Sequence, residues 1–192
     1  DNHAFACRRR YRLTCLYIMF TDPHKNLKAL GLHDGDVVVD LGAGTGFYSI
    51  LAAQMNHLGK VYAVDTVKDF LATIRSKAKE NKINNLETIL GNVEKLGGTK
   101  IGDAVADIVI ASNVFFEVED KDTFVKEIKR ILKKYGRVLL IDWSPDSSLV
   151  SKGAVVSEED TKRIFEENDF VLSTAIDAGD HHYGMILVKN EK

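Results

Sequence analysis

The sequence lacks the features that mark disulfide-stapled, metal-clustered and membrane-spanning proteins. Only two of its 192 residues are cysteines, Cys7 and Cys15, so we expect no disulfide framework and favour a reducing, cytoplasmic compartment. The two cysteines have no metal-ligand spacing, and we predict no metal site. No apolar run approaches the roughly 20 residues that a membrane-spanning helix needs, so we expect no membrane association.

An excess of positive charge is also missing from most of the chain. The formal net charge is −2. Residues 1–20 carry four arginines and one aspartate, which leaves 22 of the 26 basic residues and 27 of the 28 acidic residues for the remainder. This mildly acidic body gives no general support for nucleic-acid binding, so nucleic acid is not an expected partner.

The first 18 residues differ in character from the rest of the chain. A basic run over 8–12 precedes a short apolar stretch over 16–18, and organised sequence begins just after Met19. We therefore predict an N-terminal extension over 1–18, either an upstream or a non-native segment, and one domain over 19–192. The alternative is that residues 1–18 form a flexible basic arm or lid over the functional site.

Apolar strand patterns alternate with helical patterns along the rest of the chain. Helices are predicted over 23–30, 46–56, 67–81, 120–134 and 157–168. Strands are predicted over 36–41, 60–65, 86–90, 106–111, 136–143, 170–176 and 183–189. Repeated βα units predict a doubly wound parallel sheet with helices on both faces. The short link between the last two strands makes the seventh strand antiparallel.

A glycine turn comes directly after the first strand, and the rest of the chain is organised around it. Gly42, Gly44 and Gly46 permit a tight turn, and the next helix presents its free N–H groups to a ligand there. A dinucleotide-binding site requires the motif G-x-G-x-x-G, but Phe47 occupies the position of its last glycine. A P-loop requires a lysine and then a serine or threonine directly after its glycines, and these residues are missing here. The pattern acidic-x-G-x-G-x-G is met from Asp40 to Gly46.

Asp65 narrows the choice of cofactor. It lies 23 residues after Gly42, at the carboxyl end of the second strand. A carboxylate at that place can accept hydrogen bonds from both ribose hydroxyls, which favours an adenosine cofactor but does not exclude NAD. The competing interpretation is that Asp65 only caps the next helix.

With these motifs the sequence resembles class I S-adenosylmethionine-dependent methyltransferases, which have a Rossmann-like sheet. The resemblance covers about residues 22–190, and its motifs stand in order at 40–46, 61–65, 91–94, 106–113 and 132–143. Residues 20–23, 26–27 and 179–184 are similar to those of a group of small bacterial and archaeal methyltransferases of unassigned substrate.

The resemblance implies S-adenosylmethionine as cofactor and S-adenosylhomocysteine as product. It implies that the glycine turn underlies the methionine part, that Asp40 helps to hold its ammonium, and that Asp65 holds the ribose. Asn92 stands where the family often has an aspartate contacting adenine. The implied cofactor-binding residues are Asp40, Gly42, Ala43, Gly44, Gly46, Asp65, Thr66, Val67, Asn92, Val93, Ser112 and Asn113.

Ligands of such sheets bind outside the carboxyl ends of the strands. The segments after strands four, five and six therefore predict an acceptor site. Its candidate catalytic residues are His181 or His182, which could take a proton near neutrality, and Asn113. A hairpin hydrogen bond or a surface pair would also explain the two histidines. The candidate pocket residues are Phe115, Phe116, Asp142, Trp143 and Tyr183.

Two features of known methyltransferases are missing from the sequence, and their absence restricts the chemical class of the methyl acceptor. The run from Ser112 to Phe115 is not the N/D-P-P-Y/F motif of amino-group methyltransferases, and no cysteine is near the site for cytosine C5 or cysteine-based arsenic methylation. We predict methyl transfer to a small molecule. The alternatives are a cofactor-binding regulatory or scaffold domain without turnover and an RNA or protein methyltransferase. Phe47 disfavours a nicotinamide-dependent reductase.

Overall fold

The computed structural model describes residues 22–150 and 155–190. The predicted extension over 1–18 lies outside these residues, so the domain boundaries stay predictions. In chain order the described elements are α1 (Pro23–Leu30), β1 (Val37–Leu41), α2 (Phe47–Met55), β2 (Lys60–Asp65), α3 (Lys68–Glu80), β3 (Leu86–Leu90), β4 (Ala106–Ser112), a 3-10 turn (Phe115–Glu117), α4 (Lys121–Ile131), β5 (Leu132–Trp143), α5 (Glu158–Glu167), β6 (Phe170–Ile176) and β7 (His182–Lys189).

The strands form one seven-stranded sheet in the order β3-β2-β1-β4-β5-β7-β6. The pairs among β1 to β5 are parallel, whereas β7 runs antiparallel to both β5 and β6. The predicted α/β class, the doubly wound order and the antiparallel last strand are confirmed. Because β6 runs in the direction of β1–β5, the 177–181 loop lies at the carboxyl edge of the parallel strands.

Alternate residues of the inner strands face two apolar layers, because successive side chains of a strand point to opposite faces. Val38 packs on one face with Leu27 of α1 and Ala52 of α2. Val39 packs on the other face with Ile128 of α4 and Phe165 of α5. Helices therefore cover both faces, and the strand ends between them are left for a ligand.

The residues that begin and end the first helix behave as their chemistry predicts. Asp22 caps α1 by accepting hydrogen bonds from the backbone N–H groups of His24 and Lys25, and Pro23 takes the first helical position. Gly31 ends the helix in the left-handed conformation, with φ of 73°.

The boundary between α4 and β5 is earlier than the sequence pattern predicts. The predicted helix runs to residue 134, but α4 ends at Ile131 and β5 begins at Leu132. Leu132 is fully buried and pairs with Ala106 of β4, and Lys133 forms an ion pair with Asp107. These tertiary contacts override the helical pattern, and Tyr135 takes a positive φ of 58° before the strand continues.

Among the described residues, no helix is long and apolar enough to cross a membrane.

Candidate functional site

A cleft of about 210 Å³ opens at the carboxyl edge of the sheet. It lies where the strand order reverses, with β2 and β3 on one side of β1 and with β4 and β5 on the other. Ligands of open α/β sheets bind at this switch point. The cleft is lined by Asp40, Gly42, Ala43, Gly44, Thr45, Phe47, Tyr48, Asp65, Thr66, Phe70, Asn92, Val93, Glu94, Ser112, Asn113, Val114, Phe116, Glu117, Val118 and Trp143.

The glycine turn forms the floor of the cleft. Gly42, Gly44 and Gly46 all have positive φ angles, between 53° and 83°, which other residues rarely adopt. A Cβ atom built on Gly44 would meet nothing among the described residues nearer than the Gly42 carbonyl oxygen, 4.0 Å away. The backbone at Gly44 is therefore bare toward the cleft and can lie directly against a ligand.

Asp65 combines the two roles that its position predicts. Its Oδ2 accepts a hydrogen bond of 2.9 Å from Gly44 N, and its Oδ1 accepts one of 2.8 Å from Val67 N, at the start of α3. The carboxylate therefore ties the glycine turn to the next helix. An ionised carboxylate has about four acceptor positions, so two remain for the hydroxyls of a bound ribose.

Asn92 and Val93 form the wall beyond Asp65. Asn92 Oδ1 accepts a hydrogen bond of 2.8 Å from Glu94 N, while Asn92 N donates to Gly98 O at 2.9 Å. The loop is thus held by its own backbone and by one side-chain amide. This arrangement keeps Asn92, Val93 and Glu94 at the cleft.

Asp40 lies beneath the glycine turn and is 3% exposed. Its Oδ2 accepts a hydrogen bond of 2.5 Å from Ser49 Oγ. Burial raises the pKa of Asp40 to about 7, and the nearby Asp65 carboxylate adds to the rise, against the lowering effect of Ser49. A bound cation near Asp40 would stabilise its ionised form, which fits the ammonium contact that the family resemblance implies.

Ser112 and Asn113 end β4 with unused polar atoms. Among the described residues, Ser112 Oγ and Asn113 Oδ1 are buried and have no hydrogen-bond partner. Asn113 has a positive φ of 51°, and its Nδ2 lies 3.1 Å from His182 Nε2. Buried polar atoms normally have partners, so the end of β4 keeps two unsatisfied oxygens, both of them closed to solvent.

The part of the cleft that follows β4 and β5 is its far end. It is lined by Phe116, Val118 and Trp143 and by the acidic Glu117. Phe116 belongs to the 3-10 turn, which is held against the end of β5 by a 2.9 Å hydrogen bond from Phe116 N to Asp142 Oδ2.

Comparison with known proteins gives the same assignment as this geometry. Residues 32–188 match the sequence profile described as "Methyltransferase domain". The chain belongs to this family. Its fold and motifs place it among the class I S-adenosylmethionine-dependent methyltransferases.

Individual relatives of this methyltransferase-domain chain support the assignment. An arsenite methyltransferase from Halobacterium salinarum is 28% identical over 149 residues, which is 71% of this chain and 37% of that protein. A demethylmenaquinone methyltransferase from Lactococcus lactis is 31% identical over 131 residues, which is 68% of this chain and 51% of that protein. The chain therefore matches about half or less of these curated relatives' length.

One solved structure matches more completely. A SAM-dependent methyltransferase from Aquifex aeolicus is 26% identical, with a TM-score of 0.81, and the match covers 89% of this chain and 91% of that chain.

The residues present in the cleft of this methyltransferase-domain chain fit S-adenosylmethionine. Asp65 offers two remaining acceptor positions, Gly44 leaves room for close approach, and buried Asp40 favours a nearby cation. Ser112 Oγ adds a buried polar atom beside the turn. These groups match the ribose hydroxyls, the chain and the ammonium of that cofactor.

Several predicted site residues lie outside the cleft lining. Gly46 and Val67 lie just behind it, at the starts of α2 and α3, where Gly46 packs on Ile74 and Val67 N donates to Asp65. Phe115 is fully buried and packs on Phe124 and Phe165, so it belongs to the core.

The remaining predicted residues lie around the end of β5 but behind the cleft wall. Asp142 is 1% exposed and holds the 3-10 turn, and Tyr183 Oη lies 2.8 Å from Thr161 Oγ1. His182 stacks on Trp143 with ring centroids 4.1 Å apart, whereas His181 Nδ1 lies 3.5 Å from Ser147 Oγ. The structure thus brings His182 against Trp143, a residue of the cleft.

Sequence reasoning missed several lining residues. Phe47 and Tyr48 come after the glycine turn at the start of α2, and Phe70 lies on the apolar side of α3, so their periodicity is typical of core positions. Their place directly after the cofactor motifs is the signal that could have found them. The other lining residues outside the predicted site are Thr45, Glu94, Val114, Glu117 and Val118.

Proposed function

We propose that this protein transfers the methyl group of S-adenosylmethionine to a small-molecule acceptor. One observation carries the proposal. One continuous cleft is lined by Asp65, by the bare backbone of Gly44, by Ser112 and Asn113 at the end of β4, and by Trp143. Family membership supports the cofactor, and the apolar side chains of Phe116, Val118 and Trp143 in the same cleft support a separate acceptor.

Methyl transfer requires little of the protein beyond alignment of the acceptor with the methyl group of the cofactor. S-adenosylmethionine supplies a methyl group already activated on a sulfonium. Asp65 and the glycine turn fix one end of the cleft, while Phe116 and Trp143 shape the other. Alignment of this kind and exclusion of water supply much of the rate of a displacement reaction.

The charges of the cleft favour a neutral or cationic acceptor. Among the described residues that line it, Asp40, Asp65, Glu94 and Glu117 are acidic and none is lysine, arginine or histidine. A phosphate-bearing or carboxylate acceptor would meet these carboxylates without a compensating cationic side chain among the lining residues. Relatives named for arsenite and for demethylmenaquinone also support a small-molecule acceptor.

Isothermal titration with S-adenosylmethionine and with S-adenosylhomocysteine tests the cofactor half of the proposal. Asp65→Ala should weaken both affinities by at least about tenfold, because hydrogen bonds to a charged acceptor are worth roughly 1.5–3 kcal/mol each. Asp69→Ala is the matched control, since Asp69 is an exposed carboxylate in the same helix region and does not line the cleft. Thermal unfolding of both variants checks that each is folded.

Release of S-adenosylhomocysteine in a screen of small neutral and cationic acceptors tests the transfer itself. Turnover that Asp65→Ala lowers and Asp69→Ala does not would support the proposal. Failure of the wild-type protein to bind either cofactor form would contradict it. Tight cofactor binding with no turnover on any acceptor would indicate a cofactor-binding regulatory domain instead.

A further inference from the structure

The glycine turn between β1 and α2 is held by the main chain at its two ends. Gly42 N and Ala43 N donate to Val64 O at 2.9 and 3.1 Å, and Val64 is a fully buried residue of β2. Gly46 N donates to Ala43 O at 2.9 Å and so closes the turn. These bonds fix where the chain enters and leaves the turn, and its tip, residues 44–45, lies between them.

Two side chains of opposite charge hold the tip of the turn. Gly44 N donates to Asp65 Oδ2 at 2.9 Å, and Thr45 O accepts a hydrogen bond of 2.8 Å from Lys77 Nζ. Lys77 is a half-buried residue of α3 and lies outside the cleft lining, whereas Thr45 lines the cleft. The lysine therefore contacts the floor of the cleft through the main chain of another residue.

We propose that Lys77 is a positioning residue for the cofactor. By donating to Thr45 O, it keeps the tip of the glycine turn in the conformation that lies against S-adenosylmethionine. This inference rests on the cofactor half of the proposed function. It assigns Lys77 no contact with the methyl acceptor and no part in the chemical step.

The second anchor of the tip, Asp65, divides its carboxylate between the protein and the ligand. It already accepts from Gly44 N and Val67 N, and the proposed ribose hydroxyls would take its remaining acceptor positions. Lys77 has no such second task in the cleft, because it reaches Thr45 O from outside the lining. Its hold on the turn is thus the same with and without a bound cofactor.

The packing of α3 against the turn brings Lys77 to this contact. A Cβ atom built on Gly46 would meet Ile74 Cγ1 at 2.7 Å, so the turn lies directly on the helix at that residue. Residues three apart are neighbours on a helix surface, so Lys77 approaches the turn from the same side as the fully buried Ile74. A partly buried ammonium–carbonyl hydrogen bond is also stronger than one in water.

The three glycines explain why an anchor at the tip should affect cofactor affinity. Their φ angles are all positive, between 53° and 83°, and glycine loses more conformational freedom on ordering than any other residue. A contact that orders the turn before the ligand arrives removes that cost from binding. Loss of the Lys77 contact should therefore weaken cofactor binding while the sheet beneath the turn stays folded.

Calorimetry with S-adenosylhomocysteine on matched variants of the full chain tests the proposal. Lys77→Met removes the ammonium but keeps an unbranched side chain, and it should weaken the affinity by about five- to tenfold. Lys77→Arg can still donate to Thr45 O and should recover most of the loss. Lys79→Met removes the same charge from an exposed position of the same helix, and it should change the affinity by less than about twofold.

Amide hydrogen exchange distinguishes positioning of the turn from a general loss of stability. In ligand-free Lys77→Met, exchange should rise at residues 44–46 and stay unchanged in β2 and in the rest of α3. Saturation with S-adenosylhomocysteine should restore the protection of the turn. A uniform rise across α3 and β2 would indicate a merely structural lysine and would overturn the proposal.

The wild-type protein supplies a test that does not depend on the folding of a variant. In proton–nitrogen NMR spectra of lysine ammonium groups, Lys77 should exchange with water more slowly than the exposed Lys79, both in the free protein and in protein saturated with S-adenosylhomocysteine. Equal exchange of the two groups would overturn the proposal.

The calorimetric outcomes keep this inference separate from the proposed function. A wild type that binds the cofactor together with a Lys77→Met variant of equal affinity would overturn the inference alone. An equal loss of affinity in Lys77→Met and Lys79→Met would do the same, because it would assign the effect to charge rather than to the contact with Thr45. A wild type that binds no cofactor would contradict the proposed function and, with it, this inference.

Discussion

Two buried acidic groups of this protein have opposite surroundings. Glu127 of α4 is fully buried and accepts hydrogen bonds from the N–H groups of Gly97 and Thr99, from the Thr99 hydroxyl, and from Arg130. Asp142, at the carboxyl end of β5, is 1% exposed and accepts from two backbone N–H groups, those of Phe116 and Trp143.

The pKa values of the two groups differ because hydrogen-bond partners outweigh the effect of burial at Glu127 but not at Asp142. Burial alone would raise the pKa of Glu127, but hydrogen bonds from Arg130, Thr99 and Gly97 outweigh it and lower the pKa to about 2. Burial raises the pKa of Asp142 to about 7 despite its two backbone partners and the attraction of Lys121. The Glu127 cluster is a completed structural network, whereas the strand ends around the cleft keep buried polar groups under-satisfied.

Replacing Glu127 should have the largest effect on stability. Glu127→Ala leaves the Arg130 guanidinium and two backbone N–H groups of the 97–99 loop without their acceptor. Arg130 keeps Asp103 and the Ile101 carbonyl as partners, so the loss comes chiefly from the two N–H groups, at about 1–3 kcal/mol for each unsatisfied buried donor. Urea unfolding measures the loss, and Glu87→Ala, which removes an exposed ion pair with Lys60, should cost less than about 1 kcal/mol. Equal losses in the two variants would contradict the structural role of the Glu127 network.

Asp142→Asn should have a smaller effect on stability and a local effect on the cleft. Both carboxylate oxygens accept from N–H groups, and an asparagine amide would turn an N–H toward one of them. Leaving one buried donor unsatisfied costs about 1–3 kcal/mol. Amide hydrogen exchange should rise at Phe116 and in the 3-10 turn, but not around Gly97. An unchanged exchange rate at Phe116 would show that Asp142 does not hold the turn.

Much of this fold can be predicted from local sequence chemistry. The bounds of β2 and of α1 agree with the sequence pattern because apolar periodicity and the capping residues Asp22 and Gly31 specify them locally. The pattern failed at Leu132, where pairing with Ala106 ends the helix early. The position of β7 between β5 and β6 in the sheet also depends on tertiary contacts, and no local sequence pattern predicts it.

The candidate site was predictable at its glycine turn and less so at its far end. Asp65 and the glycine turn can be located from spacing within one βαβ unit, and the structure places both at the cleft. Tyr183 was predicted to line the acceptor pocket because it follows the sixth strand, whose carboxyl end was expected at the ligand-binding edge of the sheet. Its ring instead turns toward α5, since the side-chain direction depends on packing that spacing does not encode.

The raised pKa of Asp40 predicts a change of stability with pH that is opposite to that of Glu127. A carboxyl group whose folded pKa lies above its unfolded value stabilises the fold at low pH and loses that contribution as pH rises. For Asp40 the loss spans pH 3.8 to about 7. Its slope is at most about 1.4 kcal/mol per pH unit.

Urea unfolding across this pH range measures the Asp40 contribution. Asp40→Asn should flatten the decline, and the exposed Asp69→Asn should leave it unchanged. Glu127 acts in the other direction, because its lowered pKa gives stability that is present above pH 4.5 and is lost as pH falls through about 2. An Asp40→Asn variant that declines as steeply as the wild type would contradict the assignment.

Tyr183→Phe should have the smallest effect on stability. It tests whether the Glu127 network and the strand ends around the cleft differ because of their hydrogen-bond partners rather than their location. Tyr183 lies near Asp142 at the strand ends, but its hydroxyl has a buried partner in Thr161 Oγ1 at 2.8 Å. Loss of that hydrogen bond should cost about 1 kcal/mol in urea unfolding and leave S-adenosylhomocysteine affinity unchanged in calorimetry. Thr161→Val removes the same bond from the other side and should have a similar effect. A variant that keeps its stability but loses ligand affinity would place Tyr183 in the binding site, as its sequence position predicts.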